Sequence, residues 1–314
     1  MKTNIRIPLF LCCAAAIMPM AAQTEEGNDS TFLEDVSVIQ PLFEYPMAPE
    51  ELPSLQEKSE WLIEHFWDNL DTKSKKTVDQ FALNHAFEVY ISPMRWAEKS
   101  KVDASVDALL KRLEKNPALL LQMTKAAELN LYDVKHASML IDEVYLKFAE
   151  ALVKNKKIDK VRKTRYQEHV RKLGATLPGS KAPEFKFKTA DGIEHEYFPM
   201  STFTIIEFGD PTCNECRMSK LKMDVNLQIA DLIKKGKLNI LFIIPDEPEG
   251  WEKDLEGYPA KWTSGASEEV YDIYDIRLTP TFYTIGGDGR ILSKNITVDT
   301  AIRQALEECN KPLE

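Results

Sequence analysis

Cys213 and Cys216, separated by Asn214 and Glu215, are the side chains of this sequence best suited to covalent chemistry. At the start of a helix, an i, i+3 pair brings both sulfurs to one face of the first turn, within reach of a disulfide. Free amide donors and the positive helix end favour a thiolate there. Cys213 is then the expected nucleophile, and Cys216 the resolving thiol that releases a mixed disulfide. Glu215 sets a negative charge against that thiolate. A structural zinc would need a second Cys pair or paired His. His65, His85, His136, His169 and His195 are scattered, and none is close in sequence to the Cys pair. No metal is expected, and the only redox group would be a Cys213–Cys216 disulfide.

Two further elements bear on that chemistry. Phe203 to Phe208 is a short β-rich run, so Glu207 is a carboxyl inside an otherwise apolar strand, costly unless used or paired. Lying six positions before Cys213, it can sit beneath the helix start and relay a proton to or from Cys216, its pKa raised by burial. Paired with a lysine such as Lys237, it would be structural instead. In Thr279-Pro280-Thr281, a Pro stands at the entrance of a strand. A cis bond there would leave backbone groups of Thr279 free to pair with an incoming chain, making Thr279 and Pro280 candidate substrate-binding residues.

The elements that must position these residues fall into two halves. Ser54-Leu55-Gln56-Glu57 matches a capping box, and the helix it opens carries Trp61, Leu62, His65, Phe66 and Leu70 on one side. Val102, Val106, Leu109, Leu110 and Leu113 repeat the helical spacing, and Asn116-Pro117 is an N-cap followed by Pro at the first helical position. Leu140, Ile141, Val144, Tyr145, Phe148 and Leu152 form a further stripe. Residues 54–177 thus read as an all-α domain of five or six helices, with no catalytic constellation. The run from Lys154 to Arg165 reads as a solvated helix face, or as a docking patch for an acidic partner. The pattern breaks from Leu173 to Ser180, the expected boundary. Beyond it, Phe185 and Phe187 alternate with lysines and Asp191-Gly192 marks a hairpin. Phe203 to Phe208, the helical pattern Cys213 to Lys235, and Leu238 to Ile244 form a βαβ unit with parallel strands. Glu268 to Tyr274 is helical in pattern, Thr281 to Ile285 and Arg290 to Ser293 form a second hairpin, and Val298 to Cys309 is a closing helix.

The amino terminus reads as an export signal. Lys2 and Arg6 precede the apolar run Ile7 to Ile17, and Ala21-Ala22 fits cleavage near residues 22 to 23. Lipidation is disfavoured, because Leu11 and Cys12 rather than a small residue precede Cys12 and Cys13. Residues 23–53 form a Pro-rich lead-in. Export would leave Cys213, Cys216 and Cys309, with Cys309 an unpaired thiol. With a net charge of −10 and no basic block longer than three residues, nucleic acid is not an expected partner. Residues 178–314 hold 16 basic and 24 acidic groups, a net of −8, which tilts substrates toward basic or neutral segments.

From Gly179 to Phe185, through the Asp191-Gly192 hairpin to Phe208, then Cys213-Asn214-Glu215-Cys216-Arg217, Tyr274-Asp275-Ile276, Thr279-Pro280-Thr281 and Gly287 to Ile291, the sequence resembles the thioredoxin fold. The nearer likeness is to its secreted TlpA/ResA-like branch. The resemblance implies an α/β thioredoxin-like domain over residues 178–314, a central mixed sheet with flanking helices. In it Cys213 attacks, Cys216 resolves, Pro280 is the cis-proline and Glu207 holds the buried-acid position. The helical half resembles an uncharacterised domain that precedes such domains in secreted bacterial proteins. Two features depart from the pattern: Thr212 stands where Trp usually precedes the first Cys, and Gly209-Asp210-Pro211 replaces an aromatic loop, leaving a more acidic rim. The expected function is an exported, periplasmic thiol–disulfide oxidoreductase that reduces protein disulfides with electrons from a membrane donor. The same residues could serve an oxidase or isomerase, and a binding protein with a structural Cys pair is the alternative from another class.

Overall fold

The computed structural model describes residues 40–137, 139–199 and 201–311. The expected signal peptide and the first part of the lead-in lie outside them. The described part of the lead-in is anchored in the helical core, where Phe43 meets Phe66 and Trp67 edge-on at 5.7 and 5.8 Å.

Six α-helices follow among the described residues: α1 Leu55–His65, α2 Gln80–Ile91, α3 Lys99–Leu113, α4 Pro117–Leu131, α5 Asp142–Lys154 and α6 Lys160–Thr176. The Ser54 hydroxyl accepts from the Glu57 amide, and the Glu57 carboxylate accepts from the Ser54 amide, both at 3.1 Å. This reciprocal pairing fixes where α1 begins. The Asn116 side chain caps α4 in the same manner, accepting from the Leu119 amide at 3.2 Å. The inward face of the first helical segment differs from the expected stripe. Ile63, Phe66, Trp67 and Leu70 are buried, whereas Trp61, Leu62 and His65 remain partly exposed. The helix stops at His65, and the tight turn after it swings Phe66, Trp67 and Leu70 into the core. Leu140 lies ahead of α5 and is exposed, so that buried stripe runs from Val144 through Tyr145 and Phe148 to Leu152. α6 runs past the expected break at Leu173 to a buried Thr176, whose hydroxyl donates to the Lys172 carbonyl at 2.7 Å.

The second half is one seven-stranded mixed sheet with strands β1 Phe185–Lys188, β2 Glu194–Tyr197, β3 Phe203–Phe208, β4 Leu238–Ile244, β5 Thr263–Ala266, β6 Thr281–Ile285 and β7 Ile291–Lys294. The spatial order is β2-β1-β5-β4-β3-β6-β7, with β3, β4 and β5 parallel and the remaining pairs antiparallel. β3 is buried on both faces and has a neighbour on each side, which explains its unbroken run of bulky residues. The helical pattern after Cys213 is two helices rather than one: α7 Asn214–Asp224 and α8 Leu227–Lys234. Asn226 between them accepts from the amides of Gln228 and Ile229 at 3.0 and 3.1 Å, starting a new helix in a new direction. Short helices α9 Trp251–Asp254 and α10 Val270–Ile273 and the long α11 Val298–Cys309 complete the half. β5 was not evident from the sequence. Its Gly265 lets β1 approach so closely that an added Cβ would lie 2.3 Å from the Lys188 carbonyl oxygen.

A buried charge cluster joins the two halves. Asp142, at the start of α5, meets Arg277 at 2.5 Å and Lys294 at 2.9 Å. Asp275 meets the same two cations at 2.5 and 2.9 Å. Tyr132 at the end of α4 donates its hydroxyl to Asp275 at 3.0 Å, and the Arg277 guanidinium lies 3.8 Å above its ring centroid. Burial pushes the Asp275 carboxyl up, but Lys294 and Arg277 outweigh it and hold the group at about 2. The cluster pins residues 275 to 277, immediately before the Thr279–Pro280 turn, onto the helices.

Candidate active site

Cys213 is the N-cap of α7, with extended backbone and no side-chain cap of its own. It follows β3 by a short loop at the carboxyl end of the parallel strands, where such sheets commonly place their sites. Its sulfur is partly exposed. The thiol donates to the Glu215 carboxylate at 3.2 Å and lies 4.0 Å from the Thr279 carbonyl oxygen. The Thr279–Pro280 bond is cis. Cys216, one turn into α7, is fully buried, and its sulfur accepts from the Asp210 amide at 3.4 Å. Both cysteines are free thiols, as is Cys309, whose buried sulfur donates to the Lys237 carbonyl at 3.3 Å, far along the chain from the pair.

Glu207 lies beneath this turn. On β3 it sits between Phe242 of β4 and Phe282 of β6, on the same face as Phe203 and Ile205, which pack under the helices. It is fully buried, and neither carboxyl oxygen has a hydrogen-bond partner among the described residues. Lys237, the candidate structural partner, instead donates to the Cys309 carbonyl at 3.0 Å. Burial therefore raises the Glu207 pKa to about 8. The same burial pushes the Cys216 thiol well up, and the Glu207 charge adds to that push while the Asp210 amide opposes it. At neutral pH the Glu207 carboxyl and the Cys216 thiol are both mainly protonated.

The raised Glu207 pKa carries a stability signature. Between the unfolded value near 4.5 and the folded value near 8, the native chain holds a proton that the unfolded chain has lost. Stability is therefore greatest below pH 4.5 as far as this group is concerned. It falls as pH rises toward 8, by roughly 1.4 kcal/mol per unit at most. Glu207→Gln is expected to flatten that slope and to leave the variant a few kcal/mol more stable than wild type at pH 8, which urea titrations at pH 5 and pH 8 would read. Equal pH slopes in the two proteins would mean that Glu207 is already ionised in the fold.

Two residues of this site were not singled out from the sequence. Gly209 follows β3, and a Cβ there would lie 2.6 Å from the Phe242 ring and 3.3 Å from the Cys216 sulfur. Only glycine lets α7 settle this close to the sheet; its place just after the strand and before the cysteines was the available signal. The Tyr258 ring packs at a tilt against Phe242, with centroids 4.3 Å apart, and its buried hydroxyl has no partner among the described residues. Burial pushes its pKa up, with the charges of Glu207 and Cys216 next in size. Nothing in the surrounding Gly257-Tyr258-Pro259 marks it from sequence alone. Asp210 binds the Thr212 amide at 2.8 Å, and with Glu215 it makes the rim acidic. Among the described residues no group of three or more His, Cys, Asp or Glu gathers in a metal-binding arrangement, and no helix is long and apolar enough to cross a membrane.

A domain of unknown function (DUF5106) matches residues 19–174, which include the six helices up to the last turn of α6. A thioredoxin-like protein from Bacteroides caccae superimposes on 84% of this chain and 98% of its own, with a TM-score of 0.73 and 21% identity. That span takes in helices as well as sheet, so the two-part architecture recurs in another chain. The thioredoxin domain of a thiol-disulfide oxidoreductase from Bacteroides vulgatus aligns over 43% of this chain and 99% of its own, with a TM-score of 0.37 and 18% identity. A conserved protein of unknown function from Bacteroides fragilis aligns over 41% of this chain and 98% of its own, with a TM-score of 0.39 and 27% identity. No curated protein matches the sequence. The C-terminal half has the thioredoxin-like fold, and the helical region that the DUF5106 family matches precedes it.

Proposed function

We propose that the protein is an exported thiol–disulfide oxidoreductase that reduces disulfides in other proteins. The observation that carries this reading is the stacking of three groups at one helix start. A partly exposed Cys213 caps α7, a buried Cys216 lies one turn in, and an unpartnered Glu207 sits beneath them. Cys213 as thiolate attacks one sulfur of a substrate disulfide. That S–S bond breaks, a mixed disulfide forms, and the departing substrate sulfur takes up a proton. Glu207, in the minor fraction that is ionised at neutral pH, takes the Cys216 proton; Cys216 then attacks the Cys213 sulfur, and the second substrate sulfur leaves and takes up a proton. The substrate gains two electrons and the enzyme ends as the Cys213–Cys216 disulfide. A membrane-bound dithiol donor would return the electrons. The Thr279 backbone, whose carbonyl oxygen lies 4.0 Å from the Cys213 sulfur, would hold a substrate chain beside it.

Glu215 supports the reducing direction over the oxidising one. Strong dithiol oxidants owe their poise to a stabilised reduced thiolate. Here a carboxylate sits 3.2 Å from the attacking sulfur and withholds that stabilisation. Glu215 itself is held below the usual carboxylate range by the Cys213 hydrogen bond, so it remains charged at neutral pH. Reduction of insulin disulfides by dithiothreitol, followed by turbidity, tests the assignment. Catalytic amounts of protein are expected to shorten the lag. An unchanged time course would contradict the reading.

A further inference from the structure

The helical half carries a cleft that the redox chemistry does not use. It encloses about 680 Å³, and its walls present Lys73, Lys75, Lys111, Arg112, Lys115 and Lys157 with no acidic residue among them. The fold brings these cations from three separate segments. The Asn116 side chain donates to the carbonyls of Thr72 and Ser74 at 3.1 and 2.8 Å, clamping the loop that holds Lys73 and Lys75 against the start of α4. Arg112, in the last turn of α3, donates to the Leu70 carbonyl at 3.0 Å. The Asn155 side chain donates to the Glu114 carbonyl at 3.1 Å, tying the loop that bears Lys157 to the end of α3.

None of the six has a carboxylate within 4.0 Å among the described residues. Nearby basic residues on the following helices do: Lys154 pairs with Glu150, Arg162 with Asp159 and Arg165 with Glu128. In a chain of net charge −10, counter-charges are abundant, and their exclusion from this one concavity leaves like charges facing each other. Their mutual repulsion is relieved when an anion enters. We propose that this cleft binds a compact polyanion bearing two or more phosphate or sulfate groups. Lysines act as point charges toward such oxyanions, and six of these cations spread over three segments match several anionic groups rather than one. The volume suits a small molecule, not a polymer duplex. The site is independent of the cysteines and of the redox assignment.

Calorimetric titration of the protein with tripolyphosphate, sucrose octasulfate and inorganic phosphate tests this and separates phosphate from sulfate ligands. One of the two polyanions is expected to bind saturably, one per chain, at least about tenfold more tightly than inorganic phosphate, and to weaken as salt is raised. Lys111→Ala/Lys115→Ala is expected to weaken that binding at least about tenfold. Lys253→Ala/Lys261→Ala removes the same charge from exposed positions of the other half and is expected to change it less than about twofold. Absence of saturable binding by both polyanions, or equal weakening by the two double variants, would overturn the proposal.

Discussion

Cys216→Ser is expected to turn the protein into a covalent trap. Cys213 can still open a substrate disulfide in this variant, but no second thiol remains to release the mixed disulfide. Non-reducing electrophoresis should show about one substrate chain attached per protein chain. Cys213→Ser removes the only sulfur of the pair that solvent reaches and is expected to lower turnover about a thousandfold or more. The asymmetry follows from burial alone: Cys213 sits partly exposed at the helix start, whereas Cys216 is fully covered. Trapping by Cys213→Ser instead would reverse the two roles. Catalysis that survives in both variants would remove the pair from the mechanism.

The second large effect concerns the charge cluster between the halves. Asp142, Asp275, Arg277 and Lys294 balance as two anions and two cations, with Arg277, Lys294 and Asp275 almost wholly buried. Asp142→Ala leaves two buried cations facing one anion and is expected to cost about 3–5 kcal/mol in urea unfolding. Adding Lys294→Met restores neutrality, and the double variant should regain a good part of that loss. Such strong non-additivity is expected only for groups that share one desolvated network. Strictly additive costs would show that water reaches the cluster. Acid should dissolve the contact as well. The Asp275 carboxyl is held at about 2 against an ordinary value of 3.8, so its contribution is present above pH 4 and lost as pH falls through 2. Because Arg277 lies two residues before Thr279, a disturbance here should also reach the rate at which Cys213 meets protein substrates.

Most of the site was legible in the sequence because its signals are local. The Cys213–Cys216 spacing, the carboxyl of Glu207 within an apolar strand and Thr279-Pro280 each stand out within a few residues, and the fold sets all three at one end of β3 and α7. Capping residues were equally readable at Ser54 and Asn116, since a cap is a contact between near neighbours. The break between α7 and α8 was not, because the apolar spacing continues through Val225 and Leu227, both exposed, and only the Asn226 cap reveals the turn. β5 is Gly- and Ser-rich and owes its existence to pairing with β4 and to the close approach of β1. The charge cluster and the cationic cleft join residues that are far apart in the chain. No local pattern encodes them: Asp142 and Arg277 are 135 positions apart, and the lysines of the cleft come from three segments. Tyr258 escaped for the same reason, its relation to Glu207 existing only through the intervening Phe242 ring.

Cys213 and Cys216 are expected to form a reversible disulfide poised for reduction of other proteins. The most direct test is equilibration of the protein in thiol–disulfide buffers of defined potential, with alkylation and mass analysis reporting the oxidised fraction. A two-electron transition near thioredoxin's, at about −270 mV or below, is the predicted result. A midpoint between about −180 and −120 mV would contradict the reducing direction, and failure of the two sulfurs to join at any potential would contradict the redox assignment itself.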